Sequence, residues 1–370
     1  MSKYCPKPFI YIRPDTNISG KTQYRPCCHY ITDSTYNSVN EYLTSLELST
    51  LQNHFLNENT MPAGCRYCRD QEEQGLESLR LQTLKEYPIP ITKTKIVSIE
   101  VFPSNVCNLR CIMCSPNFSS ALGAEYQKLN WIADYTPIDH SDKTLDILNE
   151  LSDLETIGFI GGEFFLTKCN LEILDIIINK KLRAKIITNA TVITDAHLDK
   201  LKQIEDLDIQ ISIDGVGSIY EFIRYPAQWA DVETNITKLK KNLPNAKIHF
   251  SAVVQPLTFQ YLIKLIDYAN QRIIPLNLSD LNGPNWLSWS ILTNNERTLL
   301  INDFNAKLSS IRITKDQKTT LAAYEHVLST TNFNPLHRQE FVDRFTKIIQ
   351  NRKIDYQEVK QILGVFADII

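Results

Sequence analysis

A chain of 370 residues with 43% apolar and 22% charged residues has the make-up of a globular protein large enough for two or three domains, with little room for extensive disorder. Its formal net charge of -3 provides no strongly basic face for a duplex, so nucleic acid is not an expected partner. Neither the first thirty residues nor any later stretch has the apolar run of a secretory leader or a bilayer span, so a cytoplasmic location without a membrane partner is expected. In that reducing setting nine cysteines point to metal ligation or redox chemistry, not to structural disulfides.

Residues 1–90 read as a small cysteine-rich module. Pro6, Pro8, Pro14, Pro26 and Pro62 punctuate it, and Cys5, Cys27, Cys28, Cys65 and Cys68 fall in CPKPFIYIRPD, YRPCCHY and AGCRYCRDQ around a hairpin-like stretch. A CxxC with two distant cysteines has the arithmetic of a four-ligand metal site, and the spacing fits zinc as well as iron-sulfur. Cys28 and His29 are alternative ligands; otherwise Cys28, like Cys169, reads as a small buried side chain. RDQEEQGLESLR (69–80) reads as a solvated helix face.

Residues 91–290 alternate short Ile- and Val-rich runs with amphipathic stretches, the pattern of strand-helix units around a parallel sheet. The predicted strands are 95–102, 155–160, 184–189, 207–213, 247–254 and 273–280. Between them TLDILNELSDL, LEILDIIINKKL, DAHLDKLKQI, VETNITKLKKNL and TFQYLIKLIDYANQ carry apolar residues at helical spacing. Six units are too few for a closed eight-stranded barrel, so the fold class is α/β, a partial (β/α)6 barrel. The connection from about 115 to 143, with Trp131 and Tyr135, is long enough for a lid. Asp280, ending the sixth strand, is the one candidate catalytic side chain, against a plain solvated charge. Residues 291–370 read as a helical region, entered at the capping box Thr293-Asn-Asn-Glu296 and signalled again at Asp355-x-x-Glu358.

The strongest chemical signal is SIEVFPSNVCNLRCIMC, where a buried strand runs into Cys107, Cys111 and Cys114. Sulfurs so close in sequence are poorly placed to bridge one another but can curl round one inorganic centre, and three thiolates leave one iron of a 4Fe-4S cube open to a small chelating molecule. A structural zinc site with a fourth ligand from elsewhere is the competing reading.

The loop resembles the CxxxCxxC signature that follows the first strand of the radical S-adenosylmethionine (SAM) superfamily. Gly161-Gly162-Glu163 after the second strand resembles that family's GGE motif, and Ser212-Ile-Asp214-Gly215 with Arg224 resembles the SIDG-plus-arginine pattern of its peptide- and protein-modifying members. The resemblance implies SAM contacts at Met113, Gly161, Gly162, Glu163, Ser212, Asp214 and Arg224, with Asn189 near the ribose or the substrate. Two residues depart from the pattern: Met113 stands where an aromatic is usual, and Phe164 where proline often follows GGE. The cysteines of residues 1–90 resemble the twitch form of the SPASM module, implying a second, auxiliary 4Fe-4S cluster on Cys5, Cys27, Cys65 and Cys68, with a hairpin turning near Gly20. The familiar module follows the barrel, whereas here it precedes it.

Together these resemblances imply reductive cleavage of SAM to a 5'-deoxyadenosyl radical that takes hydrogen from a substrate, with flavodoxin or ferredoxin as electron donor. A ribosomally made peptide undergoing oxidation, epimerisation or crosslinking is the first expectation. A sugar- or nucleotide-type metabolite is the second. The opposed class is a non-catalytic, zinc-binding interaction protein.

Overall fold

A computed structural model describes residues 2–16, 21–73, 77–281, 283–308 and 311–369. Eight strands form one sheet in the order β2-β1-β3-β4-β5-β6-β7-β8. They are β1 (Tyr11–Thr16), β2 (Thr22–Arg25), β3 (Ser98–Val101), β4 (Thr156–Phe159), β5 (Arg183–Thr188), β6 (Leu207–Ser212), β7 (Lys247–Val254) and β8 (Leu276–Asp280). Helices separate the strands from β3 onward, the series expected of a partial α/β barrel.

All six predicted strands form, three of them shorter at the front. Lys95 and Val97 donate instead to the carbonyls of Phe9 and Ile10, so β3 starts at Ser98. Ile273 ends its helix in the left-handed region (φ 54°), which delays β8 to Leu276. The hairpin-like stretch proves to be part of the sheet. β1 pairs antiparallel with β2 and parallel with β3, through Tyr11 opposite Ser98 and Ile12 opposite Ile99. Burial of Tyr11 and Ile12 accounts for this addition, since neither could remain against solvent on an isolated hairpin. Gly20, expected near the hairpin's turn, and Gln74 to Leu76 lie outside the described residues.

Contacts divide the chain into two compact units. One comprises residues 1–105, 138–186 and 199–208. Its N-terminal core packs Tyr4, Cys5, Phe9, Ile10, Leu51, Phe55 and Val97 together, with Cys27, Cys65 and Met61 against them. The other comprises residues 106–137, 187–198 and 209–370. Its C-terminal part is helical, as expected, and both predicted helix starts are capped: Glu296 accepts from Thr293 N at 2.7 Å, and Asp355 accepts from Gln357 N and Glu358 N.

Residues 116–135 are pinned in place, not held as an open flap. Tyr135 lies so close over Gly123 that a Cβ there would fall 2.1 Å from its ring, and its hydroxyl donates to the Pro116 carbonyl. Trp131 sits edge-on to Tyr126 and beneath the Arg344 guanidinium.

Candidate active site

Cys107, Cys111 and Cys114 are free thiols on a loop fixed at both sides. Leu109 and Ile112, each 1% exposed, anchor it. Ser119, capping the helix Ser120–Lys128, donates to the Leu109 carbonyl at 2.6 Å, while Cys107 N donates to Ser120 Oγ. On the other side Arg110 N and Ile112 N donate to the carbonyls of Tyr225 and Ile223 at 2.7 and 2.9 Å. Loop curvature is thus set by backbone bonds before any ligand arrives.

Burial pushes the Cys114 thiol up to about 12, with the charges of Cys111 and Cys107 adding to the shift. Burial also raises Cys111, opposed chiefly by Arg224. Arg224 donates through Nη1 to Cys111 Sγ at 3.9 Å and pairs through Nε with Asp214 at 2.7 Å, both side chains being buried. Asp214 is in turn fixed by Val253 N at 2.7 Å. Burial pushes the Asp214 carboxyl up against the pull of Arg224, but a guanidinium does not give up its proton, so the pair is ionic. Asp214 and Arg224 were each expected to face SAM; the structure adds a bond between them that their spacing did not announce.

Asn189 donates to Asn108 Oδ1, and its own Oδ1 accepts from the backbone and hydroxyl of Thr191, tying a strand end to the cysteine loop. Ser212 and Met113 are half-buried. Asp280 is exposed at the end of β8 and accepts from Trp289 Nε1 at 3.1 Å.

In the other unit Gly161 and Gly162 take φ values of 78° and 55°, where glycine is favoured. A Cβ on Gly161 would meet the Phe102 ring at 1.8 Å. Glu163 is 1% exposed and caps the short turn after it, accepting from Phe165 N.

Four of the five N-terminal cysteines share a cavity. Cys5, Cys27, Cys65 and Cys68 line one cavity with Lys7, His29, Met61 and Arg80. Burial pushes Cys5 and Cys65 up to about 12 and Cys27 to about 11, and each of the three feels charge from others of the four. Cys28 does not line the cavity; its thiol, raised to about 12 by burial, lies near Glu100. Cys169 is buried, with its sulfur against the Ser141 carbonyl. The reading of 69–80 as a solvated face is corrected at two positions. Arg80 is 4% exposed and gripped by Glu72 at 2.5 and 2.8 Å, and it donates to the carbonyls of Ser2 and Tyr4 beside Cys5. The sequence hid this because a buried ion pair and a solvated one use the same letters.

Among the described residues no three His, Cys, Asp or Glu side chains converge as ligands of a single metal ion.

Residues 101–269 match the Radical SAM superfamily. Over that segment the chain is similar to the radical SAM superfamily, and three free thiols gathered on one loop beside a buried guanidinium fit the 4Fe-4S cluster and SAM of that family. A segment of 144 residues is 28% identical to a GTP 3',8-cyclase of Synechocystis sp., covering 36% of this chain and 41% of the relative. Among solved structures, anSMEcpe with bound AdoMet aligns at a TM-score of 0.43 and 19% identity, over 57% of each chain. Streptococcus suis SuiB bound to S-adenosylmethionine aligns at 0.42 and 15% identity, over 66% of this chain and 53% of SuiB. The chain spans less than two thirds of the length of each of these relatives. No helix among the described residues is long and apolar enough to cross a membrane.

Proposed function

We propose that Cys107, Cys111 and Cys114 hold the SAM-binding cluster, and that the enzyme uses it to abstract hydrogen from a peptide substrate. The observation that carries this reading is the loop itself: three free thiols within eight consecutive positions, on a backbone pinned at Arg110 and Ile112. A cluster held by these three cysteines would supply, with SAM bound, the electron for cleavage of SAM to methionine and a 5'-deoxyadenosyl radical. The chain's own residues prepare the ground. Asp214 orients Arg224, whose fork places positive charge against the Cys111 sulfur and favours the thiolate form. Gly161 and Gly162 leave backbone groups open to close approach, and the resemblance makes them and Glu163 candidate SAM contacts; within the other unit it does the same for Met113, Asn189 and Ser212.

Cys5, Cys27, Cys65 and Cys68 hold the auxiliary cluster in this reading, supported by their common cavity. Residues 1–90, 91–290 and 291–370 then act as auxiliary module, barrel and helical region. A peptide is favoured by the SIDG-plus-arginine pattern and the twitch-like cysteine set. A nucleotide-type metabolite is the second reading, favoured by the segment similar to GTP 3',8-cyclase. Asp280, held by Trp289, has only its strand-end position to support a catalytic role. Nine free thiols suit a reducing cytoplasm, with flavodoxin or ferredoxin delivering the electron.

Anaerobic reconstitution tests this directly. A brown protein with an iron-sulfur EPR signal that changes on adding SAM, and that forms 5'-deoxyadenosine with a reductant, is expected. A colourless, zinc-loaded chain inert toward SAM would overturn it. Mass spectrometry of a co-expressed peptide encoded beside the gene then separates peptide from metabolite.

A further inference from the structure

The helix Pro335–Arg352 lies beyond residues 101–269, yet its last residue reaches the cysteine loop. Arg352 is 6% exposed and grips Glu125 through Nε at 3.0 Å and Nη2 at 2.6 Å. The same Nη2 donates to the carbonyl of Arg110, between Cys107 and Cys111, at 2.6 Å. Its guanidinium lies 5.0 Å from the Tyr225 ring centroid, and Tyr225 is the residue whose carbonyl accepts from Arg110 N. Asn351 Nδ2 adds a third bond to Glu125. Glu125 itself sits on the helix Ser120–Lys128, whose N-terminal Ser119 and Ser120 hold the loop's other side. Arg352 therefore touches both supports of the loop and the loop backbone at once.

We propose that Arg352 is a positioning residue for the three-cysteine loop, so that the C-terminal helix governs how firmly the loop retains its cluster. Ordinary helix packing needs no buried guanidinium here: Phe341 and Phe345 already bury the same helix. A charged fork is costly to bury; here Nε and Nη2 are spent on Glu125 and a loop carbonyl while Nη1 is buried without a hydrogen-bond partner, and the two bonded arms fix geometry that apolar contacts leave loose. The proposal rests on reading Cys107, Cys111 and Cys114 as the cluster ligands.

The test uses the full chain and three variants. Arg352→Lys keeps the charge but loses the fork. Arg352→Gln removes both. Glu125→Gln with Arg352→Gln removes both partners together, which spares the fold an unpaired buried carboxylate. In the reconstituted enzyme the loop cluster is followed by its SAM-dependent EPR signal during exposure to an iron chelator. All three variants are expected to lose that signal faster, on the order of 10–100-fold. Only Arg352→Gln should also shift the cluster's midpoint potential clearly downward, because it alone leaves a net loss of positive charge. In the metal-free chain, alkylation of Cys111 mapped by mass spectrometry is expected to rise about tenfold in the double variant, with its circular dichroism unchanged. Wild-type rates of cluster loss and Cys111 alkylation in a folded double variant would overturn the proposal. A wild-type chain that takes up no cluster would instead overturn the assignment of the loop, and the alkylation measurement would still decide on Arg352.

Discussion

Two cysteine sites in this chain are built by opposite routes. The loop of Cys107, Cys111 and Cys114 draws all its sulfurs from eight consecutive positions, and its surroundings serve to hold a turn whose spacing already brings the thiols together. The N-terminal site gathers Cys5, Cys27 and the Cys65/Cys68 pair from three distant segments, so its geometry exists only after a hairpin, a helix and a core have formed around it. Both place a buried arginine nearby, and each arginine is held by a carboxylate: Arg224 by Asp214, Arg80 by Glu72. They differ in where the guanidinium points. Arg224 donates to a cysteine sulfur, whereas Arg80 donates to the carbonyls of Ser2 and Tyr4. A site whose ligands are local can spend its arginine on charge, while a site assembled from afar spends it on holding segments together.

Removing sulfurs gives the sharpest contrast. Replacing Cys107, Cys111 and Cys114 by alanine is expected to abolish 5'-deoxyadenosine formation and to lower iron from about eight to about four atoms per chain. Replacing Cys5, Cys27, Cys65 and Cys68 should lower iron equally but keep the SAM-dependent EPR signal. Iron analysis, product chromatography and EPR check both, and loss of SAM cleavage with retained loop signal would give the auxiliary site a role in turnover.

The arginine pairs come next. Asp214→Asn leaves Arg224 buried without its counter-charge, a loss of about 3–5 kcal/mol that urea unfolding would measure. Glu72→Gln weakens hydrogen bonds to a charged group without removing every acceptor, so about 1.5–3 kcal/mol is expected by the same measurement.

The smallest effect is in acid. Burial pushes the Glu72 carboxyl up, but the bonds from Arg80 and Ser78 outweigh it and hold it below its usual 4.5. A carboxylate lowered in the folded state contributes stability that is present above its unfolded value and lost as pH falls through the lowered one. Stability of the native sequence should thus fall more steeply on acidification below about pH 4.5 than that of Glu72→Gln. Parallel curves would show that Arg80 does not depend on this carboxylate.

Much of the loop site was legible because its signals are local. Three cysteines, two glycines and a strand-end serine keep their meaning whatever surrounds them, and the Ile- and Val-rich runs located six strands. The hairpin's place in the sheet was less legible, because Tyr11 and Ile12 declare that they are buried but not against what. Asp214 and Arg224 were found, but as separate residues; ten positions of sequence do not reveal a 2.7 Å contact. Arg80, Glu125 and Arg352 gave no sign at all. Each sits among other charged residues on a helix, and only packing distinguishes a guanidinium in water from one enclosed by protein.

The Arg352 contact also has a meaning in time. A ribosome makes Arg80 early, and with it the last residue lining the N-terminal thiol cavity. The bond from Arg352 to Arg110 must wait for 242 further residues to be joined after Arg110 itself. During synthesis the loop's three thiols therefore emerge well before the arginine that fastens them, and iron that reaches the growing chain meets the N-terminal site in finished sequence first.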